Sequence, residues 1–451
     1  MRGLLPLLFV AARVAGRSLP VKKIYGVNIG NWLVMEPWMM RDEWASMGGE
    51  ECADCSQCIG SESALAKTLG NETDSVFQKH WETWFNQADI DRIKAAGLNT
   101  VRIPLGYWLV EPLVDRSTEY YGRGGLTILK TRLRAMKAAG LHVILDHHAL
   151  PGAAAIRQQF AGLCTSEPQF YTQKNYDRAL VWAAVMTAFI YLDVDFANVF
   201  SLQAINEPVQ DWNKTPGLGQ YEKDFVQTVR AIEKSIGISK LPSGIKGNLT
   251  VSNTILAIAN LSSTSAGVRR ALRTAQPMLV TLIYAHGARV TKIYNKRTPL
   301  WTNFMDVSWQ RSGAPNPADA KDAYGPQSYD NHIYYNFGGV TTHSESAYMK
   351  HLCNLDRLAK ATSVRNTPLW FGEWSLATGF NASDAFLKKW ADAQKTMYAA
   401  SSGWIFWSFK IGEGQAEQKQ WDYFEALRRG YFTKSPSAVW DKNVCNAYKN
   451  E

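Results

Sequence analysis

Two glutamates stand apart by the company they keep. Glu207 lies in Ala204-Ile205-Asn206-Glu207-Pro208, and Glu373 in Trp370-Phe371-Gly372-Glu373-Trp374-Ser375. Burying a carboxylate among apolar neighbours is costly unless it is paired or has a chemical task, so each position is either a salt-bridged core residue or a functional acid. One such Glu is as readily structural as catalytic. Two of them on separate apolar runs shift the balance toward chemistry. Hydrolysis of a glycosidic bond is a reaction that needs such a pair: one carboxyl group protonates the leaving oxygen, and the other attacks the sugar or activates water.

Further polar and aromatic residues lie within or toward the ends of similar apolar runs: Asn28, Arg102, Asp146-His147-His148, Asn206, His332 and Trp407. Taken singly, His148 and His332 suit a satisfied core histidine, and Trp407 suits packing. His147 and His148 have no carboxylates clustered at ligand spacing. Cys52-x-x-Cys55-x-x-Cys58 has no nearby His and no second paired set, so neither group reads as a metal site, and no cofactor is expected.

These residues must be positioned by the runs that carry them. Short apolar stretches at Ile24 to Gly30, Thr100 to Tyr107, His142 to His148, Val199 to Glu207, Leu300 to Asp306, Asp330 to Phe337, Pro368 to Ser375 and Trp404 to Lys410 read as buried strands. Helical patterns lie between them, at Ala88 to Ala96, Leu126 to Ala139, Tyr176 to Leu192, Tyr221 to Ile236 and Asp384 to Ala400. Eight strands alternating with helices predict a (β/α)8 TIM barrel, whose C-terminal strand ends gather functional side chains on one face. The stretch from Pro242 to Thr298 is too long for one loop and helix, and extra helices are expected at Ala266 to Thr274 and Leu279 to Tyr294.

Composition narrows the class. The 451 residues fit one barrel with long loops, and 46% hydrophobic residues suffice for a large core. The 17 Trp, 19 Tyr and 18 Phe suit both core filling and stacking on sugar rings. The formal charge of +9 is scattered without a long basic run, which argues against a nucleic-acid partner.

Residues 1–16 pair Met1-Arg2 with an apolar run and small residues at Val14-Ala15-Gly16, the pattern of a secretory signal peptide, leaving 17–451 as the catalytic domain. No stretch reaches about 18 uninterrupted apolar residues, so no integral membrane span is expected. Six cysteines allow up to three disulfides, and Asn71, Asn213, Asn248, Asn260 and Asn381 begin glycosylation sequons. Leader, cysteines and sequons together predict an extracellular, secreted protein.

The chain resembles glycoside hydrolase family 5, and within it the exo-β-1,3-glucanase branch of fungi and related walled organisms. The resemblance rests on an ordered set: Gly26-Val27-Asn28-Ile29-Gly30-Asn31-Trp32 through Glu36-Pro37-Trp38, Arg102-Ile103-Pro104, Asp146-His147-His148, Asn206-Glu207-Pro208, Asp330-Asn331-His332-Ile333-Tyr334, Gly372-Glu373-Trp374-Ser375 and Gly403-Trp404-Ile405-Phe406-Trp407-Ser408. It implies a retaining mechanism with Glu207 as acid/base and Glu373 as nucleophile. It also implies substrate contacts from Arg102, Asn206, His332 and Tyr334, from His148 along the sugar edge, from Trp407 under the ring, and from Glu36 as reader of a terminal glucose. Departures occur at Asn31, where the branch commonly has Gly, at His147-His148-Ala149, and in the long 242–298 stretch.

The expected activity is exo-acting hydrolysis of β-1,3-glucan, releasing glucose from the non-reducing end. Other family 5 activities, a β-1,4- or β-1,6-glucanase or a transglycosylase, use the same chemistry. A non-catalytic glucan-binding wall protein would be expected to have lost one of the two carboxylates, and both are present.

Overall fold

The computed structural model describes residues 18–245, 249–293, 297–310, 316–319, 325–337 and 339–449; the expected leader and the Asn248 sequon lie outside them. Eight parallel strands close into a barrel in sequence order: β1 Ile24–Asn28, β2 Thr100–Gly106, β3 His142–Ala149, β4 Val199–Gln203, β5 Trp301–Met305, β6 Gln327–His332, β7 Leu369–Glu373 and β8 Gly403–Phe406. Helices cover the outside and side chains fill the inside, so both faces of each strand are dry. That is why β2, β5, β7 and β8 are buried throughout and read as continuous apolar runs rather than alternating ones.

Strand register aligns the polar residues. Asn28 of β1 is level with Arg102 of β2, Asp146 of β3 with Gln203 of β4, and His332 of β6 with Glu373 of β7. The two-residue period then puts Asp146 with His148, and Asp330 with His332, on one side of their strands. Gly372 makes room among them, because a Cβ there would lie 1.9 Å from the Asp330 carboxylate.

Every strand departs from its expected limits by one or more residues, β8 for instance ending at Phe406 and not Lys410, and in two strands the difference bears on polar residues of the site. Strand β4 ends at Gln203, so Asn206 and Glu207 sit on the turn beyond it. Strand β6 begins three residues earlier and ends at His332, leaving Tyr334 in the following loop. In both places the polar residues reach past the last ladder hydrogen bond into the open end of the barrel.

The long 242–298 stretch contributes Val251–Ala259 and a single helix, Ala266–Ile293, where two helices were expected. Pro277 inside it removes one donor, and the helix continues past it. Val251–Ala259 packs against Ala266–Ile293, which in turn packs against Gln173–Leu192. That helix is therefore sandwiched between barrel and insertion, which explains why 15 of its 20 residues are buried and its apolar surface runs all round. The insertion thus thickens the outer ring next to Gln173–Leu192.

All six cysteines pair, as Cys52–Cys58, Cys55–Cys164 and Cys353–Cys445. Among the described residues no helix is long and apolar enough to cross a membrane. The Cys55–Cys164 bridge spans 109 positions and ties the loop after β1 to the loop after β3. Chain-entropy arguments assign a loop of that size about 4–5 kcal/mol. The Cys55→Ser/Cys164→Ser variant should therefore show a lower thermal midpoint by scanning calorimetry without reductant; an unchanged midpoint contradicts this.

Candidate active site

Arg102 has no solvent exposure, and its guanidinium is the hub of the barrel mouth. Nε donates to Gln203 Oε1 at 3.0 Å, Nη1 to Asn28 Oδ1 at 3.0 Å and to Glu373 Oε1 at 2.8 Å, and Nη2 to Asn206 Oδ1 at 2.8 Å. Asp146 and Asp330 lie 3.0 and 3.4 Å from it. One buried cation therefore faces three carboxylates, with planar donors suited to several acceptors at once.

A second cation balances the cluster. His332 Nδ1 is 2.7 Å from Glu207 Oε1 and 3.6 Å from Glu373 Oε2, and Nε2 is 3.5 Å from Asp330. Burial works against charging this ring, but the Glu373 and Asp330 carboxylates and the bond to Glu207 outweigh it and push it up to about 10. Glu373 also accepts the Tyr334 hydroxyl at 2.9 Å. Burial raises the Glu373 carboxyl, while His332 and Arg102 pull against that shift and Glu207 adds to it.

Glu207 is the more open of the two, its side chain 16% exposed against 6% for Glu373. Its backbone adopts φ +37°, a left-handed conformation that a non-glycine residue holds only where its surroundings impose it. Oxygens of Glu207 and Glu373 and a ring nitrogen of His332 all lie within 4.8 Å of one another. By distance alone these three atoms could hold a cation. A protonated His332, however, has no lone pair to offer. Carboxyl groups this close match a double-displacement pair, which stands about 5–5.5 Å apart, and not the wider pair that accommodates a water.

The remaining expected residues complete a pocket around this pair. His148 Nδ1 is 2.6 Å from Asp146 Oδ2, and its ring stacks 5.6 Å from Trp407 at an interplanar angle of 13°. Its Nε2 and the Nδ2 of Asn206, although buried, have no hydrogen-bond partner among the described residues. Buried polar atoms without partners in a cleft are what a hydroxylated ligand satisfies. Glu36, 5% exposed, accepts the Trp38 indole N–H at 2.9 Å. Burial pushes its carboxyl up to about 7, against the pull of His148 and the Trp38 bond. Trp407 belongs to a small aromatic cluster with Trp421, Trp38 and Tyr334, separate from the main core.

Asp330, Gln203 and Trp421 were not singled out by sequence reasoning, and Asp146 was named only as one of several polar residues on an apolar run. Asp146 and Asp330 carry the nearest signal, a repeated Asp-x-His spacing that places both side chains on the same face of a strand. Gln203, which also binds Arg102, reads like any polar residue near a strand end. Trp421 comes from the four-residue helix Gln418–Trp421, and nothing local marks it. His147 points away from the site: it stacks 3.9 Å from Trp182, and burial lowers it to about 3, so it is a neutral packing residue. Asn31, the departure from the branch's Gly, has φ +57°, a conformation that Asn tolerates better than most residues.

Comparison with known proteins gives consistent results. Residues 66–413 match the family model described as Cellulase (glycosyl hydrolase family 5). The chain is 30% identical over 451 residues to "Glucan endo-1,6-beta-glucosidase B" of Emericella nidulans, covering 97% of this chain and 91% of that protein. It is 27% identical over 431 residues to "Probable glucan 1,3-beta-glucosidase A" of Neosartorya fischeri, covering 94% and 89%. Among solved structures, rutinosidase from Aspergillus niger shares the fold, with a TM-score of 0.60 and 20% identity over 92% of this chain and 98% of that one.

Removing the hub cation should leave Asp146, Asp330 and Glu373 without their guanidinium partner. Arg102→Met is expected to cost about 3–5 kcal/mol, the usual range for breaking a buried ion pair from one side. Urea denaturation followed by tryptophan fluorescence checks this, and a wild-type midpoint would contradict it.

Proposed function

The chain belongs to glycosyl hydrolase family 5, and from that premise we propose that it is a secreted, retaining β-glucanase with Glu373 as nucleophile and Glu207 as acid/base. The observation that carries this reading is the spacing of the two carboxylates, whose oxygens approach within 4.8 Å beside His332. In the first step a Glu373 oxygen bonds to the anomeric carbon while the glycosidic C–O bond breaks, and Glu207 gives its proton to the departing oxygen. In the second, water attacks the anomeric carbon, its proton passes to Glu207, and the bond to Glu373 breaks.

The supporting residues divide the work by position. Arg102 and Tyr334 donate to the two oxygens of Glu373 and hold it as an oriented anion. His332 stabilises Glu207 once the proton has left. The free amide N–H of Asn206 suits the sugar 2-hydroxyl, where contact strengthens in the transition state. Trp407 lies under the ring, and His148 and Glu36 meet its edge. A leader at 1–16 followed by a catalytic domain at 17–451, with three disulfides, supports an extracellular enzyme acting on β-glucan, including cell-wall-associated glucan.

For linkage, the relative that covers 97% of the chain at 30% identity is named for endo-1,6 cleavage, which supports a β-1,6-glucan substrate. A second reading, exo action on β-1,3-glucan, is favoured by Glu36, a buried carboxylate placed to read terminal hydroxyls, and by the 27% identical relative. Product analysis separates the two. The first reading predicts a ladder of gentio-oligosaccharides from pustulan; glucose alone from laminarin, with pustulan untouched, overturns it in favour of the second.

The catalytic roles are tested independently of linkage. Glu373→Gln should abolish turnover with an unchanged melting curve, because the amide cannot form the glycosyl intermediate; wild-type turnover contradicts the assignment. Glu207→Ala should lose about 10²–10⁴-fold in kcat on glucan, yet respond to azide on substrates with a good leaving group by forming a β-glycosyl azide. No azide product would remove Glu207 from the acid/base role. Glu373 must be ionised to attack, so kcat/KM should fall as pH drops, with an apparent pKa above the ordinary carboxylate value of about 4.3. An acid limb below that value would contradict the burial of Glu373.

A further inference from the structure

We propose that Glu62 and the Glu43–His80 pair are positioning residues that fix Glu36 in the sugar pocket, an inference that rests on the reading of Glu36 as a sugar-contacting carboxylate. Beyond Ile29, whose N–H still donates to the Arg102 carbonyl at 2.8 Å, the segment to Glu36 leaves the sheet. Two consecutive backbone N–H groups at its end are instead taken by side chains. Asn31 Oδ1 accepts the Glu36 N–H at 2.7 Å, and Glu62 Oε2 accepts the Met35 N–H at 2.9 Å.

Asn31 is itself held from behind. Its carbonyl lies 2.8 Å from His80 Nε2, and His80 Nδ1 lies 2.8 Å from Glu43 Oε1. Nearby, the Trp84 indole donates to the Gly30 carbonyl at 3.0 Å. The chain of contacts Glu43, His80, Asn31, Glu36 therefore runs from a partly exposed carboxylate to the pocket, and Glu62 closes the loop from the other side.

Glu62 is the stronger indication. It is the first residue of the helix Glu62–Leu69, where a carboxyl group ordinarily stays solvated beside the helix terminus, yet here it has no solvent exposure. Burial pushes it up to about 8, which favours the uncharged acid at neutral pH. Its second oxygen has no hydrogen-bond partner among the described residues. Packing alone is better served by an apolar side chain, since an incompletely paired buried carboxyl costs free energy. What Glu62 adds is a fixed acceptor one residue before Glu36. Gln, which keeps that acceptor without an acidic proton, is its close isostere.

The test is a double-mutant cycle on gentiotriose and laminaritriose. Glu62→Leu should raise KM about tenfold with kcat nearly unchanged, because the misplaced Glu36 weakens binding in the ground and transition states alike. Glu62→Gln should restore wild-type constants. In a Glu36→Gln background Glu62→Leu should add nothing, as two residues acting through one contact are not additive. His80→Leu, run through the same cycle, covers the case in which Glu62→Leu does not fold. An equal rise in KM in both backgrounds, or loss of the fold in both Leu variants, would show a purely structural role and overturn the proposal. If Glu36→Gln alone leaves KM and kcat at wild-type values, the reading of Glu36 fails instead.

Discussion

A guanidinium sealed inside the mouth of the barrel is the constraint on which the rest of this molecule depends. Arg102 cannot shed its proton, so every oxygen that faces it must be in place for the fold to be stable. Acceptors from β1, β3, β4 and the turn after it, β6 and β7 converge on one side chain of β2. Packing at that point is set by electrostatics rather than by volume. Gly372 illustrates the consequence, since any side chain there would displace Asp330 from the cluster.

The same electrostatics distinguishes the two glutamates. Glu373 is surrounded by donors on both oxygens, whereas Glu207 is more exposed and, within the catalytic cluster, meets only His332. In the proposed mechanism that asymmetry is what lets one carboxyl group attack while the other carries a proton. It also gives the pocket its layered form. A charged layer lies in the strands, the rings of Trp407, Trp421 and Trp38 cluster beside it, and the loop after β1 brings in Glu36.

Much of this was legible in the sequence because barrel strands are dry on both faces and announce themselves as apolar runs. All eight were recognisable, and polar residues named at their ends, among them Asn28, Arg102, Asn206 and Glu373, meet in one cluster. What sequence does not show is where a strand stops. The ladder ends at Gln203 and His332, yet the residues beyond it, Glu207 and Tyr334, carry the polar contacts, so a reading by composition extends the strand to include them. Nor does it show which buried polar residues meet in space: Asp146, Asp330 and Gln203 become a set only through Arg102. Trp421 and Glu62 are further cases, because each reaches its place by packing across the fold. The long insertion was recognisable by length alone, and the break expected between Thr274 and Leu279 is absent because the helix continues through Pro277.

The central claim is double displacement at a close carboxylate pair, and the anomeric form of the fresh product reports on it most directly. Proton NMR of newly released reducing ends, recorded before mutarotation, should show the β-anomer accumulating first. Two inversions at the anomeric carbon require that result. Initial appearance of the α-anomer would mean a single displacement by water, and would contradict the roles assigned to Glu373 and Glu207.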